Sequence, residues 1–181
     1  MKFGTKLVTL AAAAALVAGP ALVAGPAQAA PAAKAKVSGT TLVSFDKAYA
    51  PIVALLKPIA PTKAVGTTVT FPVTGASGTT VTHSGGIDVG GIPATAPVIA
   101  INAKAKTSTI TFTVNGTGLE LFTADHLKMT VDKKKKTVVW QGDLHLTSNA
   151  ALVDVLKGLL QNNDLTPGMG LGQIRTTIIN K

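Results

Sequence analysis

The sequence predicts a mostly β protein, built as an antiparallel β-sandwich or open barrel with two helices packed against it. From residue 67 onward, short segments rich in threonine and valine alternate apolar and polar side chains, which is the period of a half-buried strand. Turn residues separate these segments at regular intervals, as they do in sandwiches and barrels. Two other segments repeat their apolar side chains at helical spacing and predict the helices.

The beginning of the chain resembles an export signal. Lys2 and Lys6 give a positively charged start, and an Ala/Leu/Val-rich apolar run follows over residues 7–23. The letters AQA at residues 27–29 have the small-x-small pattern of a signal cleavage site. We therefore expect a cleaved signal peptide at residues 1–29 and a secreted, extracellular product.

The rest of the chain is expected to form one domain. A short Ala/Lys segment at residues 30–36 predicts a disordered leader, and residues 37–181 predict a single β-rich domain. A retained membrane anchor is the alternative to a signal peptide, but Gly-Pro pairs at residues 19–20 and 25–26 interrupt the apolar run. No later segment is apolar enough to predict a transmembrane span.

The amino-acid composition limits the functions that the chain can have. The chain has no cysteine, which excludes disulfide bonds. Its formal net charge of +9 suits an anionic ligand or an acidic envelope surface. The densest basic run, at residues 133–136, lies between two strand patterns and predicts a solvated hairpin tip. Because aromatic residues make up only 4% of the chain, we expect no nucleic-acid partner.

The first half of the domain predicts one strand and then one helix. A strand is expected at residues 37–43. Residues 46–57 predict a short helix, because Asp46 can cap it and the apolar residues that follow fall near helical spacing. Pro51 favours a position in the first turn or a kink, and Pro58 ends the helix.

The second half predicts strands, four of which form two well-defined hairpins. Further short strands are expected at residues 67–73, 79–83, 87–89 and 97–102. Asn-Gly at residues 115–116 predicts a type I′ turn between strands 109–114 and 117–122. This turn sets three cross-strand pairs: Phe112 with Leu119, Ile110 with Leu121, and Thr111 with Glu120.

The second hairpin pairs residues 127–132 with residues 137–146 and has one apolar and one polar face. Ser148 then predicts the cap of a second helix, which carries an apolar stripe over residues 152–160. A last strand is expected at residues 173–179, after a loop rich in proline and glycine.

No catalytic set is evident, and we expect no enzyme activity. Ser84 follows His83, but a nucleophile and base also need a third group to orient them. The glycine-rich segment at residues 168–172 precedes a strand, whereas a phosphate-binding loop opens a helix. The 8 carboxylates are scattered along the chain.

The polar face of the second hairpin groups two histidines with one carboxylate. If its strands pair as expected, His126 lies opposite Asp143, and His145 lies diagonally two residues further on. Such a cluster could hold a metal ion. Polar residues also populate the wet face of any hairpin, so the sequence does not assign a metal site.

Tyr49 and His83 are the two candidate ligand-binding residues. Tyr49, the only tyrosine, is either a half-buried residue with a wet hydroxyl or a phenolate ligand to ferric haem iron. His83 lies in a glycine-flanked turn, where it either caps the turn or hydrogen-bonds a ligand.

Three motifs, in this order, are similar to the Htaa domain of actinobacterial exported and cell-envelope proteins. They are SFDKAY at residues 44–49, FPVTG at residues 71–75 and HSGGID at residues 83–88. The best-known members of that family bind haem for iron uptake. The resemblance implies that Tyr49 is the axial ligand of haem and His83 a second pocket residue. A structural or interaction module of the cell envelope, without a small ligand, is the alternative.

Overall fold

The computed structural model describes residues 37–180, which form eleven β-strands and two α-helices. The expected signal peptide and leader lie outside these residues. The first strands are β1 (Val37–Phe45), β2 (Leu56–Ile59), β3 (Lys63–Val65), β4 (Thr68–Ser77), β5 (Thr80–His83) and β6 (Gly86–Val89). The others are β7 (Ile92–Asn102), β8 (Thr107–Val114), β9 (Thr117–Asp132), β10 (Thr137–Leu146) and β11 (Gly170–Asn180). The helices are α1 (Ala50–Val53) and α2 (Ala150–Leu160).

Eight strands close into an antiparallel barrel, so the fold is mostly β as expected but is neither a sandwich nor an open barrel. The ring runs β7-β5-β4-β1-β11-β10-β9-β8 and returns to β7. Closure depends on β7, which pairs with β5 on one edge and with β8 on the other. Apolar alternation identifies the inward face of each strand but not its neighbours, and therefore could not distinguish a closed ring from two facing sheets.

Three short strands lie beside the ring. β6 pairs with the first residues of β7, and β2 pairs with β6. β3 pairs with β4. Because β2 follows α1, this added strand continues the segment that carries Tyr49.

Edge-to-face aromatic contacts run through the barrel core. Phe45 contacts Phe122 with ring centroids 6.2 Å apart, and Phe122 contacts Phe112 at 6.1 Å. Phe71 continues the series, 5.8 Å from Phe112 and 6.5 Å from the ring of His83. All four phenylalanines are buried, so this series holds together strands from opposite parts of the ring.

The expected first helix is mostly absent. Only a 3-10 turn at Lys47–Tyr49 and the four residues of α1 are helical, and Asp46 makes no side-chain capping hydrogen bond. The chain then enters β2, where Leu56 pairs with Val89. Helical spacing over residues 46–57 is therefore misleading at its end, because Leu56 and Lys57 pair with the distant strand β6.

The first long hairpin follows the sequence prediction closely. Phe112 lies opposite Leu119, and Thr111 lies opposite Glu120. The third predicted pair is wrong, since Ile110 faces Phe122 across a register shift between Ile110 and Thr111. A β-bulge of this kind inserts one residue and leaves no mark on the local apolar pattern.

The second hairpin, α2 and the last strand each differ from expectation in one detail. Its apolar face continues beyond the core, so Met129 and Val131 are half-exposed. Asn149 caps α2 in place of Ser148, because its side chain accepts a hydrogen bond from the Leu152 amide. The last strand, β11, begins at Gly170, three residues earlier than expected.

Candidate ligand-binding site

Tyr49 lies just past the end of β1, at the last position of the 3-10 turn. Its ring is partly buried and packs against the apolar core. The Oη hydroxyl donates a hydrogen bond of 2.9 Å to the carbonyl oxygen of Gly170, the first residue of β11. The hydroxyl is therefore held by one backbone acceptor, at the boundary between core and solvent.

An apolar cavity of about 40 Å³ lies behind the ring of Tyr49. Barrel side chains, the Tyr49–Val53 segment and α2 all contribute to its walls. The lining includes Phe45, Ile52, Leu121, Leu146, Leu156 and Leu160. Because Leu156 and Leu160 belong to α2, this helix covers one side of the cavity.

His83 is the last residue of β5, and its side chain points into the barrel, where it is 5% exposed. Its Nδ1 lies 2.9 Å from the carbonyl oxygen of Pro97, and its Nε2 lies 2.7 Å from Thr41 Oγ1. Thr41 Oγ1 is in turn 2.8 Å from Thr176 Oγ1. These contacts form a polar network inside an otherwise apolar core.

The chemistry of the partners fixes the proton positions in this network. A carbonyl oxygen can only accept, so Nδ1 of His83 carries the proton and donates to Pro97. In the neutral ring, Nε2 then accepts from the Thr41 hydroxyl, and Thr41 Oγ1 accepts from Thr176. Burial lowers the pKa of His83 below its ordinary value of 6.5, and the bond to Pro97 opposes part of this shift.

Tyr49 and His83 line two different cavities. His83 lines a cavity of about 10 Å³ in the barrel interior, which Tyr49 does not reach. The two cavities are adjacent, because four side chains line both of them: Phe45, Leu56, Ile87 and Phe122. The two sequence-predicted site residues are therefore neighbours across a shared apolar wall and do not face each other.

Sequence reasoning did not identify Thr41 or Thr176 as partners of His83. Thr41 shares the inward face of β1 with Val43 and Phe45, and all three side chains are buried. A hydroxyl at an inward position of an apolar strand was the available signal, because a buried hydroxyl requires a partner. Its partner could not be named without the strand order, since β1, β5 and β11 are distant in sequence.

The polar cluster of the second hairpin is present and contains one residue more than expected. Asp125, rather than His126, is the residue directly opposite Asp143. His126 Nδ1 lies 3.0 Å from Asp125 Oδ1 and 3.0 Å from Asp143 Oδ2. His145 Nε2 is 3.1 Å from Asp125 Oδ1.

Neither helix of the described chain has the length and hydropathy that a membrane crossing needs.

Two solved structures from Corynebacterium glutamicum have a similar fold. The haem-binding protein HtaB aligns with a TM-score of 0.56 and 15% identity, over 80% of this chain and 94% of that chain. The C-terminal domain of HtaA aligns with a TM-score of 0.57 and 10% identity, over 82% of this chain and 100% of that chain. No family model and no curated protein sequence matches the chain. The Htaa resemblance of the motifs is therefore supported by the similar folds of these two proteins.

Proposed function

We propose that this chain is a secreted Htaa-like protein that binds haem and serves in iron acquisition, with Tyr49 as the ligand of the ferric iron. The observation that carries the proposal is the position of Tyr49, a phenol at the rim of an apolar cavity. The haem-binding protein HtaB has a similar fold, which supports the same ligand here. Export by the expected signal peptide at residues 1–29 belongs to this proposal.

The chemistry of the residues around Tyr49 fits a ferric porphyrin. A tyrosine phenolate is a known protein ligand of ferric haem, and haem supplies an open axial position to it. The apolar lining suits the face of the porphyrin. Lys47, exposed two residues before Tyr49, adds positive charge that would attract the propionates.

The hydrogen bond that Tyr49 makes to Gly170 costs little to give up. Ligation requires the phenol to release its proton and give up the hydrogen bond to the Gly170 carbonyl. A hydrogen bond of this type contributes about 1 kcal/mol to stability, and at this exposed edge water can replace Tyr49 as the partner of Gly170. Tyr49 is therefore available for a stronger interaction.

Cavity size limits where the ligand lies. The cavity behind Tyr49 has a volume of about 40 Å³, whereas pockets that enclose small molecules measure about 300–1,000 Å³. We therefore propose that haem lies at the rim, against the exposed side of Tyr49, or that α2 moves away to admit it. Leu156 and Leu160 of α2 line the cavity, so the second arrangement requires this helix to move.

In this proposal, His83 lies behind the Tyr49 cavity and does not line it. It reaches the Tyr49 cavity only through the shared wall of Phe45, Leu56, Ile87 and Phe122. We propose that His83 supports that wall through its bonds to Thr41 and Pro97, without contact to the ligand. Another anionic small molecule with an apolar body would fit the same description of the site.

A ligand-free structural or interaction module of the cell envelope is the second candidate function. The small volumes of both cavities favour it, as does the hydrogen bond that already occupies the Tyr49 hydroxyl. In that case the partner would be an envelope component bound at the surface. Binding, with or without haem, accounts for the observations better than enzyme activity does.

A hemin titration of the purified chain, followed by absorption, separates the two candidates. Haem binding through Tyr49 predicts a saturable Soret change that disappears in Tyr49→Ala. His126→Asn is the matched control and should keep the Soret change, because His126 can also ligate haem but does not line the cavity. A spectrum that does not change on titration would leave the structural module as the better candidate.

A further inference from the structure

A pair of carboxylates meets on the outside of the barrel where β9 and β10 change register. Asp125 lies directly opposite Asp143, and the pairing shifts between Gln141 and Asp143. Gly142 makes the close approach possible, because a Cβ there would overlap the carbonyl oxygen of Asp125. His126, next in the chain, takes a left-handed backbone conformation with φ of 50°. The bulge therefore turns three polar groups toward one point, two from β9 and one from β10.

The spacing of these groups matches the spacing of ligands around a small metal ion. One ligand atom each from Asp125, His126 and Asp143 lie within 4.8 Å of one another. His126 Nδ1 is 3.0 Å from an oxygen of each carboxylate. With tetrahedral metal–ligand bonds of about 2.0–2.2 Å, neighbouring ligand atoms lie about 3.3–3.6 Å apart. A cation could therefore bind with small side-chain adjustments.

Electrostatics also favour a cation at this point. Two carboxylates directly opposite each other on neighbouring strands repel and destabilise the pairing. In the described part of the chain, no Lys or Arg nitrogen lies within 4.0 Å of Asp125 or Asp143. This is notable in a chain with 17 basic side chains and a net charge of +9. Among residues 37–180, the side-chain nitrogens in contact with the pair belong to His126 and His145.

His145 holds one of the carboxylates from behind. Its Nε2 donates to Asp125 Oδ1 at 3.1 Å, and its side chain is 27% exposed, against 77% for His126. A hydrogen bond to the carboxylate orients it and restricts its rotamers, as partners of metal ligands do in known sites. His145 is therefore a positioning residue for Asp125.

We propose that Asp125, His126 and Asp143 form a surface binding site for a divalent transition-metal ion of the zinc type. Imidazole with carboxylate suits Zn²⁺, Cu²⁺ or Ni²⁺ better than Ca²⁺ or Mg²⁺, which prefer oxygen ligands alone. The three residues leave the remaining coordination positions to solvent. The site is independent of Tyr49, since none of its residues lines either cavity.

Isothermal titration of the full, untagged chain with ZnCl₂ tests the site. We expect saturable binding of one ion per chain, weakened at least about tenfold in His126→Asn and in Asp143→Asn. Asparagine is chosen at position 126 because it accepts the left-handed backbone there more readily than alanine. Asp164→Asn, which removes an exposed carboxylate outside the cluster, should bind as the unaltered chain does.

Two results would overturn the proposal. One is the absence of saturable zinc binding in the unaltered chain. The other is unchanged affinity in both cluster variants, with their far-ultraviolet circular dichroism showing that they are folded. The role of His145 has its own readout: His145→Ala should weaken binding, and His145→Gln, which keeps a donor, should restore most of it. Hemin plays no part in this experiment.

Discussion

Thr41 donates a buried hydrogen bond of 2.7 Å to Nε2 of His83, and this bond joins β1 to β5 across the barrel interior. The same hydroxyl oxygen contacts Thr176 of β11, 2.8 Å away. In the described residues, no buried side-chain nitrogen or oxygen lacks a partner. The apolar core can therefore hold these polar groups without loss of stability, because the groups hydrogen-bond to one another.

Replacing Thr41 by valine should destabilise the protein by about 1–3 kcal/mol. The substitution conserves shape but leaves the Nε2 acceptor of His83 and the Thr176 hydroxyl without this partner. Denaturant unfolding measures the difference. Thr130→Val, at an exposed position of β9, is the matched control and should change stability by less than about 0.5 kcal/mol. Equal stability of the two variants would argue against the network.

Stability should fall as the pH drops below the ordinary histidine pKa of 6.5. Burial lowers the pKa of His83 in the folded protein, so the unfolded chain binds a proton first as the solution becomes acidic. The free energy of unfolding therefore decreases in this window, by at most about 1.4 kcal/mol per pH unit from His83. His83→Gln should show the shallower slope between about pH 7 and about pH 5. Parallel slopes would contradict the burial of a neutral His83.

The cap of α2 gives a direct comparison of two adjacent residues. Asn149→Ala should destabilise the protein by about 0.5–2 kcal/mol, because it removes the acceptor of the Leu152 amide. Ser148→Ala should have little effect, since Asn149 is the capping residue. Thermal unfolding of both variants measures this. A larger loss from Ser148→Ala would support the cap that the sequence alone predicts.

Local patterns predicted the elements whose partners are adjacent in sequence. Asn115 and Gly116 fix a two-residue turn, so Phe112 and Leu119 could be paired without knowing the rest of the fold. The same alternation failed at Ile110, where a bulge shifts the register by one residue. Periodicity indicates which face of the sheet a side chain occupies. It does not show where a bulge adds a residue to a strand.

Features that depend on distant pairing could not be predicted. The apolar spacing of residues 46–57 is compatible with a helix, but residues 56–59 pair with β6 as a strand. Closure of the barrel depends on β7 pairing on both edges. Met129 and Val131 share the apolar face of their hairpin, yet they are half-exposed because that face extends beyond the core.

The sequence proposes Tyr49 and His83 as site residues, but it does not show how they lie relative to each other. Tyr49 lies beside an apolar cavity, as a ligand-binding residue requires. His83 was expected in the same pocket, but β5 turns its side chain into the barrel interior. Sequence alone could not separate the two, because both residues lie near Phe45 and Ile87 and the separation depends on strand order.

The most direct test of the account is an equilibrium hemin titration of the unaltered chain beside Tyr49→Phe. This variant keeps the ring that packs against the core and removes only the hydroxyl that donates to Gly170. The account predicts saturable binding with one hemin per chain, and loss of the ferric phenolate spectrum with at least about tenfold weaker binding in Tyr49→Phe. Equal affinity and identical spectra for the two proteins would contradict the assignment of Tyr49 as the haem ligand.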